Sequence, residues 1–194
     1  MDDHEFGRGA PGIRCNPAWR ISPYTGAMDA GPLLGEIGRR LHGVGLDAVL
    51  IGNAAAALQG APVTTVDFDF LFRKTPRNIA KLKAFARRLR ATILRPFYPA
   101  SDFYRLVRDD DGLQVDFMAT IHGLRSYKGV RDRAASIEVG GASIRVAALA
   151  DIIKSKRAAG RPRDLAVLEV LETALEEGTQ SPRPARRRRA RKSS

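Results

Sequence analysis

Cysteine occurs once in this 194-residue chain, at Cys15, so no intramolecular disulfide forms and a disulfide-stapled secreted scaffold is excluded. Histidine is nearly as scarce. His4, His42 and His122 lie far apart, without a Ser or Cys partner in a catalytic context, and no Cys/His cluster has zinc-ligand spacing. No apolar run approaches the ~18–20 residues a membrane-spanning helix needs. The first residues, Met1 to Glu5, are acidic where a signal peptide is basic. No internal repeat is visible. These absences predict a cytoplasmic protein with no membrane partner, whose core rests on packing alone. A 21.2 kDa chain that is 44% hydrophobic is long enough for one such domain.

Charge is plentiful and uneven. Lys and Arg number 33 against 21 Asp and Glu, a formal net charge of +12. Seven of the basic residues, Arg183 to Lys192, fall between Ser181 and Ser194, where there is no acid. A run of that kind repels itself, so residues 179–194 read as a disordered Arg-rich tail whose Arg186–Arg191 stretch suits contact with nucleic acid. Residues 1–30 are rich in Gly and Pro and read as a disordered leader, with Trp19 and Tyr24 as points of contact with the domain and Met28 as an alternative start. The domain then spans 31–178.

Within it the patterns are regular. Leu33, Leu34, Ile37 and Leu41 recur at helical spacing until Gly43-Val-Gly45 stops them. Residues 47–51 read as a buried strand and 53–59 as a short helix with Asn53 as its N-cap and Gly60 as its stop. A strand is expected over 66–72, then a helix over 76–90 capped by Thr75 with Pro76 in its first turn. Residues 103–108 and 113–118 flank Asp109-Asp-Asp-Gly112 as a hairpin, and 136–139 with 142–146 form a second around Gly140-Gly141. Helices over 148–158 and 162–177 close the domain, the latter with Leu165, Leu168, Leu171 and Leu175 on one stripe. The intermixing predicts an α/β (α+β) fold, a mixed sheet flanked by helices.

The most informative segment is Val66-Asp67-Phe68-Asp69-Phe70. In a strand Asp67 and Asp69 share one face, and Val66, Phe68 and Phe70 the other. Asp116, between Val115 and Phe117, repeats the pattern on a predicted neighbouring strand. Two readings fit these acids. One is a solvated surface; the other is a divalent-metal site, because adjacent carboxylates repel unless a cation sits between them. Mg²⁺ held by carboxylates and substrate phosphates suits phosphoryl or nucleotidyl transfer. Gly52, at a strand-to-helix junction, allows close backbone approach to a phosphate, or simply makes a turn. Lys154, Lys156, Arg157, Arg161 and Arg163 gather near a helix C-terminus, where the dipole alone favours cations. They equally suit a triphosphate, and Asp164 stands among them.

Taken in order, Ile51-Gly-Asn-Ala-Ala, Gly60, Thr65-Val-Asp67-Phe-Asp69, Val-Asp116-Phe and Ser155-Lys-Arg-Ala-Ala-Gly-Arg-Pro-Arg-Asp-Leu165 resemble the nucleotidyltransferase-fold proteins of the polymerase-β superfamily. The likeness covers about residues 33–177. It is nearest to small bacterial, toxin-like members related to abortive-infection nucleotidyltransferases. The resemblance implies a nucleotidyltransferase fold and a turn at Gly52-Asn53 that holds nucleotide phosphates. It also implies catalytic Mg²⁺ on Asp67 and Asp69, with Asp116 completing the site and helping to deprotonate the nucleophile. Thr65, Lys154, Lys156, Arg161 and Asp164 complete the nucleotide-binding set. The implied substrate is a nucleoside triphosphate (NTP), the acceptor an RNA, tRNA or small-molecule hydroxyl, and a cognate antitoxin protein a partner. Asn53 stands where Gly or Ser is usual, and Val63 where relatives often carry Arg. Those departures support a second reading, a degenerate member that binds nucleic acid or protein through the tail and through Arg77, Lys81, Arg87, Arg88 and Arg90.

Overall fold

The apolar stripe of Leu34, Ile37 and Leu41 becomes the buried face of helix α1 (Gly31–Val44), which Gly45 ends in the left-handed region at φ 62°. The computed structural model describes residues 20–21, 28–65, 67–94 and 102–180. The expectations for Trp19, Tyr24, Val66 and the run Arg183–Lys192 lie outside the described residues. Ahead of α1, β1 (Arg20–Ile21) and β2 (Met28–Asp29) pair antiparallel.

The elements that follow are β3 (Ala48–Ile51), α2 (Gly52–Ala57), β4 (Phe68–Phe72), α3 (Pro76–Leu89), β5 (Thr92–Leu94), β6 (Phe103–Arg108) and β7 (Leu113–Met118). After them come α4 (Tyr127–Arg133), β8 (Ala135–Val139), β9 (Ala142–Val146), α5 (Leu149–Ala159), α6 (Pro162–Leu165) and α7 (Leu168–Gln180). Among the described residues, β3 to β9 form one seven-stranded sheet in the order β5-β6-β7-β4-β3-β9-β8. It is mixed: β4 with β7 and β3 with β9 run parallel, and the other neighbours antiparallel.

Strand alternation sorts the two faces. Phe70 stacks on Phe117 at 5.4 Å between centroids, and Phe85 of α3 meets Phe117 edge-on at 5.5 Å. Helices α1 and α3 therefore cover the aromatic face, while Asp69 and Asp116 emerge on the other, toward α5. Thr75 caps α3 as expected, its Oγ1 accepting from Asn78 N at 3.2 Å.

Three expectations need correction. Asn53 is not an N-cap: Ile51, in an extended conformation, occupies that position, and α2 already includes Gly52 and Asn53. The strand expected from residue 66 begins at Phe68, leaving Asp67 in the bend before it. The last helix is two: α6 ends at Leu165, which is 50% exposed, and only α7 brings Leu171 into the core. Leu168, Leu171 and Leu175 keep the expected stripe and pack on the core, and only Leu165, on the separate α6 that borders the cleft, leaves it.

Helix α1 lies very close to the β8–β9 turn. A Cβ at Gly35 would sit 2.3 Å from the Gly140 carbonyl oxygen, and main chain cannot swing aside. Gly35→Ala is expected to destabilise the fold by about 3 kcal/mol, a fall of roughly 10 °C in Tm. Urea unfolding of the two proteins checks it; equal midpoints would sink the claim.

Candidate active site

Sheet register lines up the site. Ile51 of β3 pairs with Asp69 of β4, Asp69 with Asp116 of β7, and Asp116 with Arg105 of β6. Gly52 follows Ile51 at one end of this row, and Arg105 closes the other. Asp67, just before β4, swings in beside them, held by Thr65: the threonine hydroxyl donates to the Asp67 main-chain oxygen at 2.8 Å and to Oδ1 at 3.1 Å. The result is three carboxylates whose oxygens lie within 4.8 Å of one another, with Asp116 only 2% exposed.

Close, half-desolvated like charges alter one another. Burial pushes the Asp69 carboxyl up to about 7, reinforced by Asp67 and Asp116 and opposed by Lys156 and Arg105. Arg105 forks onto Asp116, Nε to Oδ1 at 2.9 Å and a terminal nitrogen to Oδ2 at 2.7 Å, and this bond raises the guanidinium above its ordinary value. Gln114 Nε2 bridges Asp67 and Asp116 at 3.2 and 3.3 Å. Hard oxygen donors converging with surplus negative charge fit a divalent cation. The donor set does not single out Mg²⁺.

Gly52 is fixed by this arrangement. Its φ is +70°, and a Cβ there would lie 2.5 Å from Asp69 Oδ2. Asn53, next to it, donates its amide to the Thr64 carbonyl at 3.1 Å, tying α2 to the segment leading into Asp67. Its amide nitrogen is thereby engaged within the protein. Val63 packs its side chain against the core.

A cleft of about 550 Å³ opens over the carboxylates. Gly52, Asn53, Thr65, Asp67, Asp69, Asp116, Lys156, Arg161 and Asp164, all singled out from the sequence, line it. Lys154 does not. It is exposed and faces away, because residues two apart on a helix point about 200° from each other and Lys156 takes the cleft side. Lys156 and Asp164 form an ion pair at 3.1 Å, their side chains 12% and 13% exposed, with Arg161 4.0 Å from the same carboxylate.

Sequence reading missed Arg105 and Gln114, and also the buried Asp151, which Arg133 grips with three bonds of 3.0–3.2 Å at the cleft edge. Arg105 was recoverable. A hairpin closing through Asp109–Gly112 pairs Arg108 with Leu113, and counting back along both strands sets Arg105 opposite Asp116.

A mixed sheet carries three acids beneath a cleft, with a tight glycine turn beside them. The family model described as nucleotidyl transferase of unknown function (DUF2204) matches residues 32–189, and the chain belongs to that family. It is an enzyme of the nucleotidyltransferase class. No curated protein matches the chain by sequence. Among solved structures, ANT(2″)-Ia in complex with adenylyl-2″-tobramycin is 16% identical with a TM-score of 0.53, covering 77% of this chain and 92% of its own. The lincosamide antibiotic adenylyltransferase LnuA, lincomycin-bound, is 11% identical with a TM-score of 0.54, covering 73% and 95%. TM1012 from Thermotoga maritima is 23% identical with a TM-score of 0.48, covering 75% and 91%. At their identities the likeness to ANT(2″)-Ia and LnuA is one of fold. Among the described residues no helix is long and apolar enough to cross a membrane.

Proposed function

We propose that this protein transfers a nucleotidyl group from an NTP to a hydroxyl acceptor with the help of Mg²⁺. The observation that carries the reading is the convergence of Asp67, Asp69 and Asp116 within 4.8 Å at the floor of the cleft. Asp67 and Asp69 would hold the ion together with Asp116, and a divalent ion bound there would supply positive charge against the α-phosphate during transfer. Lys156 and Arg161, on the α5–α6 side, offset charge on the departing pyrophosphate, and the main chain at Gly52-Asn53 borders the same phosphates. The acceptor hydroxyl attacks the α-phosphorus, the bond to the β-phosphate oxygen breaks, and the hydroxyl proton passes to the carboxylate cluster, with Asp116 nearest the Arg105 end.

A cleft of about 550 Å³ suits an NTP with a small-molecule acceptor better than a folded RNA. An RNA acceptor is the second reading, favoured by the Arg186–Arg191 run, which supplies phosphate affinity outside the cleft. The cytoplasm supplies both NTP and Mg²⁺, and we place the reaction there.

The test is label transfer from each of four α-³²P-NTPs to small hydroxyl compounds and to bulk tRNA. Asp67→Asn is expected to lower the rate roughly 10³-fold with the fold retained. Transfer that survives the substitution overturns the assignment. Failure with every acceptor, together with salt-sensitive RNA binding, moves the weight to a degenerate nucleic-acid-binding member.

A further inference from the structure

We infer that the β6–β7 end of the cleft is the acceptor subsite, and that it takes a hydroxyl compound with an uncharged, apolar body rather than a polycation. The inference rests on the transfer reading proposed above and names the class of its acceptor. Attack in line with the departing pyrophosphate sets acceptor and leaving group on opposite sides of the α-phosphorus. As the new P–O bond forms, the bond to pyrophosphate breaks and the hydroxyl proton goes to the carboxylates. Lys156 and Arg161 mark the pyrophosphate side, so the acceptor falls beyond Asp116, toward β6.

Strand alternation gives that end its floor. Met118 lies two residues beyond Asp116 on the same face of β7, and its register partner on β6 is Phe103. Ile121 and Leu124, in the segment after β7, form the wall, and all four side chains line the cleft. The segment rests on α5: a Cβ at Gly123, where φ is +72°, would lie 2.7 Å from Ala158 Cβ and 3.0 Å from the Lys154 carbonyl oxygen. Lys156 projects about 200° around the helix from that edge, which keeps the apolar wall apart from the phosphate-facing cation. Among the described residues, every acid that lines the cleft is already matched. Asp102 pairs with Lys74, Asp116 with Arg105, Asp151 with Arg133 and Asp164 with Lys156, while Asp67 and Asp69 are ligands proposed for the ion. A polycationic acceptor needs spare carboxylates and finds none at the β6–β7 end. Arg105, over the Phe103 ring at 5.3 Å from its centroid, repels it further. Apolar side chains with a few placed polar groups instead suit an uncharged body.

The test is made on the full chain. Calorimetry with Mg²⁺ and the α,β-methylene analogues of the four NTPs first identifies the nucleotide that binds. Saturation-transfer NMR on that complex then compares 2-naphthylethanol, an uncharged aromatic alcohol, with tobramycin, a polycation. The alcohol is expected to bind about tenfold more tightly. Met118→Asp is expected to weaken it about tenfold with nucleotide affinity unchanged, and Met118→Leu to keep it. Ile121→Asp repeats the loss where Met118→Asp does not fold, and the wild-type comparison decides even where neither variant folds. Tobramycin binding as tightly as the alcohol overturns the inference, as does a nucleotide complex that binds neither compound. Loss of nucleotide affinity in folded Met118→Asp also overturns it, because the nucleobase then occupies the apolar end. Where no nucleotide binds the wild type, the transfer reading itself fails, a distinct result.

Discussion

Asp69→Asn is expected to abolish transfer while making the metal-free protein more stable at pH 8. The two effects share one cause. The Asp69 carboxyl titrates near 3.8 when the chain is unfolded and at about 7 in the fold, so the folded state holds its proton more tightly. That contribution to stability is complete below about pH 4, is lost as pH rises toward 7, and is gone above it. A gap of that size is worth on the order of 4 kcal/mol, or roughly 10–15 °C in Tm. Asparagine has no proton to lose, so the variant is expected to show a flatter stability profile between pH 4 and 8. Saturating Mn²⁺ or Mg²⁺ reverses the order at pH 8, because only the wild type gains a cation to offset its repulsion. Parallel unfolding curves for the two proteins across this window would refute the account of Asp69 as a strained ligand. Burial of Asp69, reinforced by its two carboxylate neighbours, also explains why the variant loses function: the arrangement that costs stability is the one that draws a cation.

Much of this was legible in the sequence because it depends on local periodicity. Alternation put the phenylalanines of residues 68–70 on one face and Asp69 on the other, and Thr75-Pro76 marked the start of α3. The hairpin turn at Asp109–Gly112 fixed the β6–β7 register. What escaped was set by tertiary contact. Whether Asp67 belongs to the strand or the bend depends on the Thr65 hydroxyl, which competes locally for its main chain. The break after Leu165 reflects α7 packing on α5, which overrides a leucine spacing that would suit one continuous helix. Lys154 was a matter of angle: charge content pointed to the whole cluster, but a helix offers only one side to a cleft. Asn53 resembled a cap because Asn commonly caps helices, yet its amide instead reaches forward eleven residues to Thr64.

Gly52→Ala is expected to separate stability from chemistry. A left-handed φ of +70° costs an L-residue roughly 1–2 kcal/mol. The atom the new methyl would strike, at 2.5 Å, is Asp69 Oδ2, the tip of a side chain that can rotate; the Asp69 Cβ and Cγ lie at a tolerable 3.4 Å. The fold therefore yields by turning the carboxylate, and Tm falls by only about 3–6 °C. The rate pays far more. Displacing a reacting or ligating group by about 1 Å costs on the order of 10²-fold, and here the displaced group is one of the three carboxylates proposed to hold the metal, at the β4 edge of the cleft. Mn²⁺ affinity should weaken in step with the rate. Combined with Asp69→Asn, the alanine should add little further loss of activity, because its effect runs through that carboxylate. A loss in the double variant that multiplies the two single losses would show instead that Gly52 acts on the phosphates directly, through its own main chain.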